Sequence, residues 1–282
     1  MAETDVSSLV NYQKLTKLSG YPEDVLSIAF SPDGKTMASG TTKKAIVLWD
    51  VSTWKMTTTL DENDGAVTAL AFSGDGKLLA SGNNHKKVHL WNTTTWKVKA
   101  EINTYDRVDA LSFSPDNSLL AIACHTEKAI LWAINRNALY KTQIVNEIGN
   151  RVQAISFSVD GKMIATGNEW DDSIRIWDLN SSEKIKELIG HVNNIKAVAY
   201  SVDGKYLASG DEDGLVLLWD AKTGEILDPL PGHAGHTCSL LFGPTSNILV
   251  SSDCIIRKGL FGITVRQTFR GCKNTFWDAA EV

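Results

Sequence analysis

Hydrophobic and polar positions alternate along this chain in a pattern that repeats about every 42 residues. An aromatic residue followed by Ser or Gly closes the first apolar run of each repeat, at Phe30, Phe72, Phe113, Phe157, Tyr200 and Phe242. A tryptophan follows 19 or 20 residues later, at Trp49, Trp91, Trp132, Trp177 and Trp219. Two markers in a fixed register indicate a structural repeat.

Each repeat contains the pattern of four short strands. In the first repeat the strand-like segments are VLSIAFS, TMASG, AIVLWDV and KMTTTL. Asp-Gly pairs such as Asp33-Gly34 predict a hairpin between the first two strands, since Gly tolerates positive φ. No segment has the period of a helix, and such small sheets cannot bury both faces alone. Packing around an axis solves this, so the sequence predicts an all-β propeller of four-stranded antiparallel blades.

The repeats resemble those of the WD-repeat (WD40) family. The segments that carry the resemblance are FSPDGKTMASG…IVLWD, FSGDGKLLASG…VHLWN and FSVDGKYLASGDEDGLVLLWD. We expect a flexible segment over residues 1–12 and a propeller over 13–282. The predicted units are 13–60, 61–102, 103–145, 146–189, 190–230 and 231–270, with a partial seventh over 271–282.

The resemblance also implies a hydrogen-bond network of His, Ser or Thr, Asp and Trp within a blade. The fifth repeat carries all four residues, as His191, Ser209, Asp213 and Trp219. At the Asp position the first three repeats have Lys43, His85 and Thr126. We therefore expect those three blades to depend more on apolar packing.

The end of the repeat array leaves the number of blades open. The sixth unit lacks the Trp-Asp pair, and the segment GCKNTFWDAAEV after it aligns with the start of the fifth repeat. One interpretation is a seven-blade design that is truncated, with six repeats and the first strand of a seventh. The other is a closed six-blade ring that the amino-terminal segment QKLTKLSG completes. We favour the first interpretation.

Composition and charge exclude several classes of protein. The 28 basic and 33 acidic residues leave a net charge of -5, which is too mild to indicate a nucleic-acid binder. No apolar run approaches the roughly 18 residues that a membrane span needs, and no signal-peptide pattern is present. Four cysteines without a CxxC pair suit a reducing compartment. We expect a cytoplasmic protein, with the nucleus as the alternative.

Motifs for catalysis or metal binding are sparse. The segment 34–36 ends like a phosphate-binding loop, but Ala29 stands where the first glycine belongs, so a turn is favoured. His233, His236 and Cys238 have no second closely spaced ligand pair to complete a zinc site. No catalytic motif appears, and the carboxylates are scattered. The sequence predicts no enzyme, no cofactor and no metal.

One rim of the propeller is the predicted binding surface. The loops that enter the first strands and the loops that join the second to the third strands share this rim, and the latter differ in every repeat. Contact offsets taken from the WD-repeat family select, in repeats three to five, Arg107, Asp109, His125, Arg151, Gln153, Trp170, Lys196 and Glu212. Trp and Arg are enriched in interface hot spots. We expect this set to bind a segment of acidic or carbonyl-rich character.

The predicted function is a non-enzymatic protein-protein interaction scaffold, with a protein or peptide partner, as part of a larger multiprotein assembly. One alternative is a small-ligand or enzyme propeller that uses the central channel. A second is a weak nucleic-acid or phospholipid binder that uses the lysine pairs 43–44 and 86–87. Ala, Ser, Val and Ile dominate the predicted channel strands, which disfavours the first alternative.

Overall fold

The computed structural model of the chain describes residues 25–125, 128–134, 139–146, 151–170, 172–230, 236–242, 248–254 and 263–269. Within these ranges the strands form six antiparallel sheets. Five of the sheets have four strands, and each strand pairs with its neighbours in sequence. This arrangement confirms the predicted all-β propeller with four-stranded antiparallel blades.

The first three blades follow one another along the chain. Blade 1 contains β1 (Val25–Phe30), β2 (Thr36–Thr41), β3 (Ile46–Asp50) and β4 (Lys55–Leu60). Blade 2 contains β5 (Val67–Phe72), β6 (Leu78–Asn83), β7 (Lys87–Asn92) and β8 (Lys97–Asn103). Blade 3 contains β9 (Val108–Phe113), β10 (Leu119–Cys124), β11 (Lys128–Ile134) and β12 (Leu139–Asn146). The first strands of consecutive blades contact each other.

The second half of the chain continues the same order. Blade 4 contains β13 (Arg151–Phe157), β14 (Met163–Glu169), β15 (Ser173–Asp178) and β16 (Glu183–Ile189). Blade 5 contains β17 (Ile195–Tyr200), β18 (Tyr206–Asp211), β19 (Val216–Asp220) and β20 (Ile226–Leu230). The sixth sheet contains β21 (His236–Phe242), β22 (Ile248–Cys254) and β23 (Ile263–Phe269).

The number of complete blades differs from the prediction. The described residues form five four-stranded blades, and the sixth repeat contributes only three strands among them. The predicted flexible segment 1–12 and the partial seventh repeat 271–282 lie outside the described residues. Strand β1 contacts β21, although less extensively than the first strands of consecutive blades contact each other. Blade 1 and the sixth sheet are therefore neighbours.

The turn between the first two strands has the same construction in blades 1 to 5. In blade 1 the Ser31 hydroxyl donates to Asp33 Oδ1 over 2.6 Å, and the Lys35 amide donates to the same oxygen over 3.1 Å. Gly34 follows with a φ of 69°, which a side chain would strain. In blade 3 Asn117 takes this position with a φ of 59°. The structure thus confirms the hairpins that the Asp-Gly pairs predict.

Close approach between blades depends on a small residue in the second strand. A Cβ atom added to Gly82 would lie 2.3 Å from Val108 Cγ1 in the next blade. In blade 3 Ala123 occupies the equivalent position and is fully buried. The same close approach to the following blade occurs at Gly40, Gly167 and Gly210. Apolar clusters cross these interfaces, so the core is continuous between neighbouring blades.

Candidate docking surface on one rim

Two sets of loops meet on one rim of the propeller, as the sequence predicts. We call it the variable rim, and among the described residues it comprises 42–45, 61–66, 84–86, 104–107, 125, 170, 172, 190–194 and 212–215, with the strand ends that flank these loops. In blade 5 the Glu212 amide donates to the Asn194 carbonyl over 3.0 Å. In blade 3 the His125 amide donates to the Arg107 carbonyl over 2.8 Å. These bonds join the loop before the first strand to the loop after the second.

A buried network fixes the variable rim of blade 5 from beneath. The Trp219 indole donates to Ser209 Oγ over 2.7 Å, and Ser209 Oγ lies 2.6 Å from His191 Nε2. His191 Nδ1 lies 2.8 Å from Asp211 Oδ2, and both side chains are almost fully buried. The partners suit a neutral imidazole that accepts from Ser209 and donates to Asp211. The hydrogen bonds of the network are therefore all donated in the same direction, from the Trp219 indole towards the Asp211 carboxylate.

The aspartate of this network is not the one that the sequence predicts. Asp211 ends β18 and is fully buried, whereas Asp213 lies in the following turn and is exposed. The Asp213 amide donates to Asp211 Oδ1 over 3.1 Å, so Asp213 supports the network only through its backbone. The prediction of Asp213 is wrong because the end of a strand, and not the turn, points a side chain into the blade. His191, Ser209 and Trp219 do form the network.

Blade 2 builds a comparable network with a histidine from another strand. The Trp91 indole donates to Ser81 Oγ over 2.8 Å, and that hydroxyl donates to Asn63 Oδ1 over 3.1 Å. His89 of β7 lies with Nδ1 3.2 Å from Asn63 Oδ1 and with Nε2 3.2 Å from Glu101 Oε2. The expectation of mainly apolar packing is therefore incomplete for this blade. His89, two residues before the repeat tryptophan, was the available signal.

The predicted contact residues of blade 3 lie together. Arg107 Nη2 is 2.6 Å from Asp109 Oδ1, and His125 Nδ1 is 3.0 Å from Asp109 Oδ2. The Asp109 side chain is 6% exposed, whereas the Arg107 side chain is 45% exposed. A buried carboxylate thus holds the guanidinium and the imidazole in place on the rim.

In blade 4 a predicted cation is paired with a carboxylate that sequence reasoning missed. Arg151 Nε lies 2.8 Å from Glu169 Oε2, in an orientation that makes a charge contact rather than an aligned hydrogen bond. Gln153 is buried, and its Oε1 accepts no hydrogen bond from the described residues. Glu169 was missed because the one-residue insertion in this loop shifts the alignment, which places Trp170 at the position that Glu169 holds.

Blade 5 contributes a carboxylate that joins several partners. Asn194 Nδ2 donates to Glu212 Oε2 over 2.6 Å, and Lys196 Nζ lies 3.6 Å from the same oxygen. His236 Nδ1 of the sixth sheet lies 3.6 Å from Glu212 Oε1. Burial alone would raise the pKa of Glu212, but the Asn194 hydrogen bond and the charge of Lys196 outweigh it and hold this pKa below its usual range. Glu212 is therefore ionised at neutral pH.

Trp170 lies in blade 4, the middle one of the three blades that hold the predicted set. Its amide donates to Asn194 Oδ1 over 3.0 Å, which ties the blade 4 loop to blade 5. Its side chain is 66% exposed, and Arg151 Cζ lies 5.8 Å from the ring centroid. The backbone φ is 80°, a left-handed conformation that costs a residue with a side chain about 1–2 kcal/mol. Strain of this kind concentrates at binding sites.

Two other tryptophans share the left-handed backbone but not the exposure. Trp54 and Trp96 each have a φ of 54° and lie in the turns between the third and fourth strands of blades 1 and 2. Both are partly buried, and they pack against the core clusters that contain Trp49 and Trp91 respectively. Packing compensates for the strain at these two positions. The exposed ring of Trp170 has no comparable burial.

Two exposed aliphatic residues lie on the same rim of blade 4 and the loop that follows it, and sequence reasoning missed both. Ile189 is 78% exposed and pairs in register with Ser173, three residues after Trp170. Val192 is 77% exposed and lies two residues before Asn194, whose side chain accepts from the Trp170 amide. We call Trp170, Ile189 and Val192 the Trp170 patch. An apolar residue in an otherwise polar rim loop was the only sequence signal.

The described residues hold no group of three metal-ligating side chains and no helix that could span a membrane. His233, which the sequence raised as a candidate metal ligand, lies outside the described residues. Cys124 is a free thiol, and burial raises its pKa to about 11. A thiol with so high a pKa is a weak nucleophile and a weak metal ligand at neutral pH.

Three family profiles match parts of the chain. The profile described as WD domain, G-beta repeat, matches residues 182–220, and the Anaphase-promoting complex subunit 4 WD40 domain matches residues 111–192. The profile of the Nucleolar protein 10-like, N-terminal domain matches residues 1–136. Together with the four-stranded blades, these matches show that the chain belongs to the WD-repeat β-propeller family.

Curated relatives share between 25% and 29% sequence identity with parts of this chain. Nuclear distribution protein nudF of Aspergillus niger is 25% identical over 80% of this chain and 56% of its own length. Periodic tryptophan protein 2 of Arabidopsis thaliana is 26% identical over 53% of this chain and 16% of its own length. Target of rapamycin complex subunit LST8 of Mus musculus is 29% identical over 44% of this chain and 39% of its own length. The chain thus spans at most about half the length of these relatives.

Proposed function

We propose that this protein is a non-enzymatic scaffold that docks a protein or peptide partner on the variable rim of blades 3 to 5. The observation that carries the proposal is Trp170, an exposed ring on a strained backbone, with Arg151 beside it. Exposed aromatic anchors within a polar rim are typical of protein interfaces. The proposed contact set is Arg107, His125, Arg151, Trp170, Lys196 and Glu212, with Ile189 and Val192 added, while Asp109 and Gln153, which complete the predicted set, are buried beneath it.

The polar contacts around Trp170 support this proposal because they preorganise the surface. Asn194 accepts from the Trp170 amide and donates to Glu212, so a single side chain connects the loops of two blades. Arg151 is held by Glu169 on one side and lies beside the Trp170 ring on the other. Groups that are already ordered lose less conformational entropy when a partner binds.

The comparisons support membership of a larger assembly. Target of rapamycin complex subunit LST8 and Anaphase-promoting complex subunit 4 are each named as subunits of a complex. We propose a similar role for this chain, with a partner of its own. The cytoplasm remains the proposed compartment, and the match to a nucleolar protein domain supports the nucleus as the alternative.

The lysine-rich loops are a weaker candidate for binding nucleic acid or phospholipid. Lys87 Nζ lies 3.0 Å from Asp64 Oδ2 and 3.2 Å from Glu101 Oε1, and these hydrogen bonds raise its pKa. Lys86 Nζ lies 3.8 Å from Asp106 Oδ1. Carboxylates in these positions would repel a phosphate that approached the two lysines. We therefore place the binding function on blades 3 to 5.

We infer that the six sheets form a closed ring, which carries the docking surface. The contact between β1 and β21 supports it, because a seventh blade would separate these two strands. Small-angle X-ray scattering of the protein tests this: a compact monomer with a ring profile is expected. An open profile or a strand-paired oligomer would overturn the closed ring and favour the seven-blade design.

Affinity capture with matched variants tests the docking proposal. We expect the triple variant Trp170→Ala, Ile189→Ser, Val192→Ser to lose partners that the unaltered protein retains, by about tenfold or more. The control variant Val159→Ser, Val202→Ser changes two exposed apolar residues of the same blades on the opposite rim. It should retain every partner.

Both variants must unfold at the same temperature as the unaltered protein, which thermal denaturation measures. Partners that both variants lose equally would point to general stickiness, and retention of all partners by the triple variant would remove the Trp170 patch from the docking surface.

A further inference from the structure

The cations of the proposed docking surface are already neutralised within the protein. Arg107 pairs with Asp109, Arg151 with Glu169 and Lys196 with Glu212. An acidic partner would have to compete with these carboxylates for each cation. The sequence-based expectation of an acidic partner segment therefore loses its main support.

Two further carboxylates lie on the same loops. Asp172 follows Trp170 by two residues, and Asp213 is adjacent to Glu212. Neither has an ion-pair partner among the described residues, and Asp213 is exposed. On blades 4 and 5 the described rim thus carries two cations, Arg151 and Lys196, and the four carboxylates Glu169, Asp172, Glu212 and Asp213. These six described residues together carry a net charge of about two negative units at neutral pH.

Hydrogen bonds and neighbouring positions in the sequence connect these carboxylates to the Trp170 patch. The Trp170 amide donates to Asn194, and Asn194 donates to Glu212, the residue before Asp213. Asp172 lies in the same loop as Trp170, with a left-handed φ of 54°. Apolar surface and unpaired negative charge are therefore adjacent on one rim.

The Trp170 ring is itself suited to a cation. Arg151 Cζ lies 5.8 Å from the ring centroid, which shows that a guanidinium is accommodated beside this indole. Arg151 covers one part of the ring, and 66% of the Trp170 side chain stays exposed. A cationic side chain from a partner would meet both an aromatic face and uncompensated carboxylates.

We propose that the docked segment is a basic and apolar peptide, in which an Arg or Lys side chain lies against Trp170 between Asp172 and Asp213 and an adjacent aliphatic side chain covers Ile189 and Val192. This inference rests on the proposed docking function and specifies its partner chemistry. The charge complementarity is that of interfaces in which opposite potentials face each other.

Fluorescence anisotropy with three labelled peptides of equal length tests the inference. The peptides alternate Leu with Arg, Leu with Glu, or Leu with Ser, and each is titrated with the full chain. We expect the Arg-Leu peptide to bind about tenfold more tightly than the other two. Trp170→Ala should weaken that binding about tenfold, and Asp172→Asn with Asp213→Asn should weaken it about fivefold.

A charge-matched variant separates this site from general attraction to an acidic protein. Glu183→Gln with Glu225→Gln removes two exposed carboxylates from the opposite rim of the same blades and should leave binding unchanged. Equal weakening by both double variants, tighter binding of the Glu-Leu peptide, or no binding of the Arg-Leu peptide would each overturn the inference. Loss of captured partners in the Trp170 triple variant would still uphold the docking function in those cases.

Discussion

The interior of blade 5 and the neighbouring Trp170 patch differ in their burial and in their relation to the repeat pattern. In the interior, His191, Ser209, Asp211 and Trp219 are almost fully buried, and each polar group is matched to the next. On the rim, Trp170 is exposed on a strained backbone. The interior obeys the repeat pattern, and the rim departs from it through an inserted residue. We therefore attribute stability to the residues that the repeats have in common and recognition to the residues in which the repeats differ.

Removal of the blade 5 carboxylate should have the largest effect on stability. Asp211→Ala leaves the buried His191 without an acceptor and should lower the free energy of unfolding by about 3 kcal/mol. Asp213→Ala removes the exposed residue that the sequence suggested and should change it by less than about 0.5 kcal/mol. Urea denaturation of both variants measures the difference. Equal losses of stability in the two variants would mean that Asp213 belongs to the network, and would contradict the contrast between interior and rim.

A smaller loss of stability is expected at the interface between blades 2 and 3. Gly82→Ala places a Cβ 2.3 Å from Val108 Cγ1 and should cost roughly 1–3 kcal/mol, because the two sheets must separate. Ala123→Gly, at the equivalent position of blade 3, should cost less than about 1 kcal/mol. Thermal unfolding compares the two variants. Partner capture should be unaffected by either change, and a loss of capture would show that rim and interior are coupled.

A pH-dependent effect, smaller again, is expected on the outer strand of blade 4. A hydrogen bond from Lys184 and the nearby Arg175 lower the pKa of Glu187 to about 2. A carboxyl whose pKa is lowered by folding stabilises the protein above its unfolded pKa, and this stabilisation is lost as pH falls towards the folded value. Glu187→Gln should therefore lower the unfolding free energy at pH 7 by about 1 kcal/mol or less, since about a third of the side chain is exposed.

Unfolding of Glu187→Gln and the unaltered protein should be compared by urea at neutral and acidic pH. The difference in stability should shrink from pH 5 towards pH 2, as both proteins then carry a neutral side chain at this position. A difference that stays constant with pH would mean that shape, and not charge, is what Glu187 contributes.

Much of the fold could be predicted because the same pattern of strands and turns recurs in several repeats. The aromatic and tryptophan markers, with Asp-Gly turns such as Asp33-Gly34, predict four strands per unit, and the five complete blades confirm them. The sixth sheet was harder to predict, because its repeat keeps the aromatic marker Phe242 but lacks the tryptophan and the Asp-Gly turn. The residue-level error at Asp213 has a similar cause: one residue decides whether a side chain ends a strand or enters a turn.

The candidate site was less predictable because it depends on contacts across blades. Family offsets selected Arg151 and Lys196 as cations available for a partner, but their carboxylate partners become visible only when the loops are folded. The exposure of Ile189 and Val192 is likewise a property of the rim and not of any repeat marker. The sequence selected Trp170 by its family offset and its residue type, whereas its left-handed backbone is visible only in the structure.

The most direct test of the docking surface is to measure stability and partner capture on one sample of Trp170→Asn. Asn tolerates the left-handed backbone better than Trp, so the free energy of unfolding should stay the same or rise by up to about 1 kcal/mol. Capture should fall by about tenfold, because the anchor is gone. A variant that is clearly less stable and still captures its partners would make Trp170 a structural residue and contradict the proposed docking surface.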